Sequence, residues 1–177
     1  MKKIYLYIFL CFGFLNLAQN QKSVSIDWEG QASYKSGDFI YRFPSFKSIF
    51  YSLDTSSKLI TYKEEFSVSN LINENSLQIT NVVYETITVE DLFDLDLAKI
   101  PNSLNASIES VRARDQYYAL FSFSPIIKTE SGYKKVISLG YNFAYGSSGS
   151  SKVASSQFGV QSVQNSVLAS GNWFRFY

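Results

Sequence analysis

The hydrophobic and polar residues of this chain alternate in short runs, most clearly in two neighbouring stretches. In residues 116–128, one face is apolar and carries Tyr117, Ala119, Phe121 and Phe123. Residues 132–145 repeat the alternation after a connection that contains Gly132. The apolar face of this second run is broken only by Lys135 and consists of Tyr133, Ile137, Leu139, Tyr141, Phe143 and Tyr145. Period-two patterning across such a connection predicts a long antiparallel hairpin with one buried face.

Shorter alternating runs precede this pair and predict further strands. They lie at residues 24–28, 38–43, 49–53, 58–69, 76–89 and 103–115, with Pro44 expected to end the second of them. The polar cluster at residues 54–57 predicts a hairpin between its neighbours. In residues 90–101 the alternation stops; Glu90 and Asp91 suit a helix start and Pro101 a helix end. The sequence therefore predicts a mostly β fold, an antiparallel β-sandwich over residues 22–145 with one short helix.

The first 18 residues have the pattern of a secretory signal peptide. Lys2 and Lys3 precede an apolar run of about fourteen residues, and Ala18 is the small residue expected before the cut. A membrane-spanning helix needs about 20 apolar residues, so we expect cleavage, export to the periplasm, and no membrane span in the mature chain. Cys11 lies in the middle of the run and follows Leu10, so we interpret it as part of the signal peptide and not as a lipidation site.

The composition changes after Tyr145. Residues 146–165 are rich in serine and glycine, which predicts a flexible linker. Residues 166–177 then begin what is interpreted as the next, truncated domain. Its aromatic strand contains Trp173, Phe174, Phe176 and Tyr177 and is expected to lack a partner in the chain.

Composition excludes several classes of function. Apolar residues make up 46% of the chain, enough for a packed core, and the net charge of +1 comes with no basic stripe, so no nucleic-acid partner is expected. The chain has no histidine, and its one cysteine is Cys11. Cys–His and Ser–His nucleophiles and the usual zinc ligands are therefore missing. We predict no catalytic, metal-binding or cofactor-binding residues and no cofactor.

Three groups of charged residues could still form sites. The acids Glu90, Asp91, Asp94 and Asp96 could bind calcium, but their spacing lacks the pattern of an EF-hand loop. A solvated helix face is the favoured interpretation.

Glu64 and Glu65, next to Lys63, could be imagined as a glycosidase pair. Such a pair must face one cleft, whereas adjacent strand residues point to opposite faces. Arg112 and Arg114 could share a strand face and bind an anion; a solvent face with cross-strand ion pairs is favoured over that.

Three stretches resemble the PorU family of type IX secretion system sortases, which are gingipain-related cysteine peptidases of Bacteroidetes. Residues 170–177, SGNWFRFY, resemble the start of the family's mature-type module. Residues 79–92 and 114–143 resemble its N-terminal region, and the likeness in the longer stretch is carried by Phe123, Pro125, Ile126, Tyr133 and Lys135.

The resemblance implies that residues 22–145 form a propeptide-like domain with a structural, chaperone or inhibitory role. The implied partners are the downstream peptidase domain and other outer-membrane components of the secretion system. The implied location is the periplasm, then the outer membrane or cell surface. The family's catalytic residues lie further downstream, so no activity is expected of this chain alone. The alternative is a stand-alone secreted β-sandwich that binds a glycan or a surface partner.

Overall fold

A computed structural model describes residues 20–146, together with the backbone of Leu168–Ala169 and Asn172–Trp173. The described chain forms three antiparallel four-stranded sheets, as predicted for a β-sandwich. The β10 sheet consists of β10 (Gly132–Phe143), β6 (Gln78–Ile87), β1 (Asn20–Ser25) and β9 (Ile126–Thr129). The β8 sheet consists of β4 (Tyr51–Asp54), β5 (Leu59–Val68), β8 (Gln116–Phe123) and β7 (Ser107–Ala113). The β2 sheet consists of β2 (Trp28–Ser36), β3 (Phe39–Phe46), β11 (Leu168–Ala169) and β12 (Asn172–Trp173).

Aromatic rings join the sheets. Phe66 of β5 lies 6.0 Å from Phe143 of β10, measured between ring centroids, so the β8 and β10 sheets face each other. Phe46 of the β2 sheet packs edge-on against Tyr51 at 5.1 Å and stacks near Tyr62 at 6.0 Å. Burial of these large rings contributes to the hydrophobic stabilisation of the core.

The structure corrects the predicted long hairpin. The apolar face of β8 is buried as expected, but β8 pairs with β5 and β7 and not with β10. The chain leaves β8 at Phe123, crosses to the opposite sheet through Ser124 and Pro125, and forms a shorter hairpin from β9 and β10, with Thr129 opposite Gly132. Pro125 favours this crossing because it has no N–H to continue a ladder.

The face of β10 also differs from the prediction. A register shift between Val136 and Ser138 changes which residues face the core. Val136 and Leu139 are both buried as a result, and Lys135 does not interrupt a core face but pairs with Glu85, Nζ to Oε1, at 3.2 Å. Such a bulge re-aims the side chains that follow it.

Two other predictions concern strand ends. The hairpin around residues 54–57 is confirmed, with Asp54 opposite Leu59. Pro44 does not end its strand, since β3 continues to Phe46. Proline is tolerated there because β3 is the outer strand of its sheet.

The predicted helix in residues 90–101 is a single 3-10 turn, Glu90–Leu92. The turn stops because Phe93 adopts a positive φ of 53°, and a right-handed helix cannot continue through a residue with that backbone angle. Two further 3-10 turns, Ser48–Phe50 and Glu74–Ser76, were not predicted. Within the described residues, no helix is long and apolar enough to cross a membrane.

The predicted unpartnered strand needs a correction for Asn172 and Trp173. These two residues pair with Ala169 and Leu168, and that pair continues the β2 sheet next to Ala32 and Ser33. The antiparallel ladder satisfies backbone groups that an isolated strand would leave open. The predicted signal peptide and residues 147–167, 170–171 and 174–177, which include all but the first residue of the predicted linker, lie outside the described residues, and the predictions for them stay predictions.

Candidate functional site

Glu64 and Glu65 lie on opposite faces of β5, as predicted. Glu65 is exposed, whereas Glu64 is half-buried on the side of the buried Tyr62. The Tyr62 hydroxyl donates a hydrogen bond to Glu64 Oε2 at 3.3 Å. Since Glu65 faces away, the two carboxylates cannot act on one substrate as a glycosidase pair.

The surroundings of Glu64 are aromatic. Burial raises the pKa of the Tyr62 hydroxyl, and the Glu64 charge raises it further. The same two causes, burial first, raise the pKa of Tyr141. The Lys22 ammonium lies 3.4 Å from the centroid of the Phe66 ring, which is a cation–π contact. The tyrosines are thus held as neutral hydroxyls, which suits a structural polar cluster better than a general base.

The acidic cluster is divided among separate local contacts. Asp91 accepts a hydrogen bond from Thr88 Oγ1 at 2.9 Å. Asp96 pairs with Lys99 at 3.1 Å, and this contact lowers the Asp96 pKa. No group of three or more potential ligands for a metal ion occurs among the described residues.

Asp94 makes the most informative contact of this cluster. Its Oδ2 accepts a hydrogen bond from the Arg42 backbone N–H at 2.6 Å, and its own N–H donates to the Arg42 carbonyl at 2.9 Å. Arg42 belongs to the outer strand β3. Asp94 therefore covers part of a sheet edge, a common protection against edge-to-edge association.

Arg112 and Arg114 do not form the proposed strip on one strand. Arg112 lies in β7, whereas Arg114 lies in the turn that follows, with a φ of 56°. Arg112 Nε donates to the Arg114 carbonyl at 3.1 Å. The Arg112 guanidinium also lies 5.7 Å from the Tyr117 ring. Arg112 thus stabilises the hairpin of β7 and β8 to which it belongs.

The residues that carry the family resemblance meet where the chain crosses between sheets. Phe123 and Ile126 are buried at the two ends of the crossing. The Pro125 carbonyl between them accepts a hydrogen bond from the Val136 N–H at 2.9 Å. Lys135, next to Val136, forms the ion pair with Glu85. The motif therefore has a physical role, since it fixes how β8 connects to the β10 sheet.

Sequence patterns missed the part that Trp28 plays at the same place. Its indole Nε1 donates a hydrogen bond to the Val136 carbonyl at 2.8 Å. The ring also packs edge-on against Phe46 at 5.3 Å. The indole thereby ties the β2 sheet to the β10 sheet. In the sequence, only its place on the same face as Ile26 in the alternating run of residues 24–28 indicated that it could be buried.

Together these contacts define an antiparallel β-sandwich whose described charged groups mainly cap turns, cover edges and pair on the surface. No protein-family model matches the chain. No curated protein matches it significantly. A solved structure that it resembles is a complex of the pro- and mature domains of RgpB from Porphyromonas gingivalis, with a TM-score of 0.49 and 8% sequence identity. The alignment covers 78% of this chain and 85% of that one.

Proposed function

We propose that residues 20–146 form the non-catalytic, propeptide-like part of a type IX secretion system sortase. The domain acts on a cysteine peptidase domain of the same protein, as a template for its folding or as an inhibitor. The observation that carries the proposal is the motif of Phe123, Pro125, Ile126, Tyr133 and Lys135. These residues resemble the sortase family, and they form or flank the crossing between the two facing sheets.

The charged side chains support a structural role. Asp94 covers the β3 edge, and Glu74 accepts a hydrogen bond from the Ser110 N–H of the outer strand β7 at 3.2 Å. Asp54 caps the turn between β4 and β5. Acids used in this way hold strands and turns in place, whereas a catalytic acid must reach a substrate.

The proposal includes how the protein is exported and where it is located. The signal peptide at residues 1–18 directs export to the periplasm, and the parent then reaches the outer membrane or cell surface. There its partners are the peptidase domain and other outer-membrane components of the type IX system.

The test begins with the coding DNA beyond the Tyr177 codon. An in-frame cysteine peptidase domain is expected there. That domain is then refolded with and without the present chain added in equal amount. We expect a higher yield of folded peptidase, or lower peptidase activity, when the chain is present.

A matched control is the Phe121→Ala chain, whose core is broken and which should have neither effect. Equal refolding yield and equal activity with and without the unaltered chain would refute the proposed role. A reading frame that continues into unrelated sequence would do the same.

A further inference from the structure

Phe93 has a backbone conformation that is unusual for a large side chain. Its φ is 53° and its ψ is −121°, a combination that suits glycine and is strained for a residue with a Cβ. Strain of this kind persists only where surrounding contacts hold the residue in place. The segment around Phe93 must therefore contain contacts that work against its strain.

The residues next to Phe93 supply those contacts. Leu92 before it is fully buried, and Leu95 after it is buried as well. Asp94 accepts the Arg42 N–H at 2.6 Å and donates its own N–H to the Arg42 carbonyl at 2.9 Å. The leucines fix the path of the chain, and the Asp94 contact joins the strained segment to the outer strand β3.

The Asp94 contact covers one definite part of the β3 edge. The Arg42 N–H and carbonyl both bond to Asp94, so both point away from β2. Backbone groups that face outward alternate along a strand, which gives Ile40 and Pro44 the same orientation as Arg42. Pro44 has no N–H to offer to a neighbouring strand. Asp94 thus covers the one outward-facing residue that lies between Ile40 and Pro44.

Residues 93–96, which we call the edge strap, are held to their neighbours by few hydrogen bonds. The bond from the Arg42 N–H to Asp94 is exposed to solvent. At the other end of the edge strap, the Asp96 N–H donates to the Lys58 carbonyl at 3.2 Å. Segments held by solvent-exposed hydrogen bonds open by local unfolding before the core does. Release of Phe93 from its positive φ favours that opening.

We propose that the edge strap is a strained cover of the β3 edge, which opens by local unfolding while the rest of the sandwich stays folded. The open form lets β3 pair along residues 39–43 with β3 of a second copy of the chain. In the closed form, which is the described structure, Asp94 blocks this pairing at Arg42. The inference does not depend on the function proposed above.

A second copy fits the open edge because symmetric pairing uses the same residues from both chains. Antiparallel pairing centred on Tyr41 places Ile40 of one copy opposite Arg42 of the other. Both residues face outward, so each such pair exchanges both of its backbone hydrogen bonds. The two arginines are not opposite each other, and Pro44 limits the length of the ladder.

Amide hydrogen exchange of the unaltered chain tests the opening. The N–H groups of Arg42 and Asp94 should exchange together. Relative to their intrinsic rates, they should exchange at least about ten-fold faster than the N–H of Ala119, which lies in β8 between β5 and β7. Equal protection of all three groups would show that the edge strap opens only when the whole domain unfolds, and would overturn the inference.

Two variants of Phe93 separate the strain from the loss of the ring. Phe93→Gly removes the ring and the strain, whereas Phe93→Ala removes the ring but keeps a Cβ at the positive φ. Protection of the Arg42 N–H should be about ten-fold higher in Phe93→Gly than in Phe93→Ala, as expected for relief of such strain. Equal or lower protection in Phe93→Gly would show that no strain favours opening, and would overturn the inference.

The matched control is the pair Thr86→Gly and Thr86→Ala. Thr86 is exposed in β6 and has no positive φ. Glycine at an ordinary strand position is less favourable than alanine, so Thr86→Gly should not protect the Arg42 N–H better than Thr86→Ala does. Thermal melting of each variant verifies that the fold is intact.

Sedimentation velocity at increasing concentration tests the pairing with a second copy. Self-association should begin at a lower concentration for Phe93→Ala than for Phe93→Gly, and at the lowest concentration for Asp94→Ala. Ile40→Pro removes an outward-facing N–H from β3, so adding it to Asp94→Ala should abolish the association. Association that persists in this double variant would assign the contact to another surface and overturn the proposed pairing.

Discussion

The ring of Tyr141 lies flat against the ring of Phe121, with centroids 3.9 Å apart and planes 14° apart. Tyr141 belongs to β10 and Phe121 to β8, and both are fully buried. The pair therefore joins the two facing sheets at the centre of the core. Its stacking depends on the rings alone, because the buried Tyr141 hydroxyl has no hydrogen-bond partner among the described residues.

Tyr141→Phe should leave the free energy of unfolding unchanged or raise it by up to about 1 kcal/mol. The substitution keeps the stacked ring and removes a buried polar group that makes no hydrogen bond, which is favourable. Tyr62→Phe is the control, because it removes a hydroxyl that donates to Glu64 and should cost about 1 kcal/mol. Urea denaturation followed by fluorescence measures both; a larger loss for Tyr141→Phe than for Tyr62→Phe would contradict the interpretation.

Gly140→Ala should lower the free energy of unfolding by about 1–3 kcal/mol, the usual cost of overpacking. A Cβ at position 140 would lie 2.7 Å from Thr80 Oγ1 and 3.4 Å from the Thr80 carbonyl oxygen. Thr80→Ala removes the closer of these atoms, so the double variant should recover part of the loss. A double-mutant cycle by urea denaturation measures this coupling; simple additivity would show that the Thr80 hydroxyl is not the obstacle.

Asp54→Ala should destabilise the protein by about 1 kcal/mol at pH 7. This loss of stability should become smaller as the pH falls. The Ser56 hydroxyl, at 2.6 Å, is the first of the donors that lower the pKa of Asp54, followed by the Ser57 hydroxyl, also at 2.6 Å. Because the folded-state pKa is lowered, the stabilisation is present above the usual aspartate pKa of about 3.9. It is lost as the pH falls towards the folded value.

Thermal melts of Asp54→Ala and the unaltered protein between pH 7 and pH 2 measure how the difference in stability between the two decreases. Asp38→Ala is a suitable control, because Asp38 also lies in an exposed hairpin turn but its carboxylate has no partner in the described part of the chain. It should change stability little at any pH. A gap for Asp54→Ala that stays constant down to pH 2 would exclude the charged form as its source.

Asp94→Ala should make the protein more prone to associate. The substitution removes the acceptor for the Arg42 N–H and uncovers part of the β3 edge, which can then pair with another chain. Asp91→Ala serves as control, since Asp91 caps a turn at Thr88 and covers no strand edge. Light scattering at increasing concentration should show aggregates for Asp94→Ala first, and equal behaviour of the two variants would argue against edge protection.

The strands could be predicted from the sequence because each buried face repeats every second residue. Phe121 and Phe123 show this for β8. Asp54 and its polar neighbours marked the turn between β4 and β5. Pairing between strands was harder, because an alternating run specifies its own faces but not its partner. That is why β8 and β10 were assigned to one hairpin, although Pro125 carries the chain to the opposite sheet.

The predictions about charged residues succeeded or failed for the same reason, because a local pattern specifies the faces of its own strand but not contacts with distant residues. The opposite faces of Glu64 and Glu65 follow from strand geometry alone and could be predicted. The edge contact of Asp94 with Arg42 joins residues 52 positions apart, so no local pattern contains it. The register shift after Val136 keeps Lys135 off the core face. It arises in the pairing of β10 with β6, so the sequence of β10 alone could not predict it.

The pairing of β1 with β10 has a consequence for how the protein is made. Asn20 lies opposite Phe143, so the first and last strands of the 20–146 body are neighbours in one sheet. A chain that crosses a membrane from its N-terminus cannot complete this sheet until residue 143 has emerged. Folding that depends on such distant contacts is slow, which suits the export proposed above, because the sheet stays incomplete until the end of the domain has crossed.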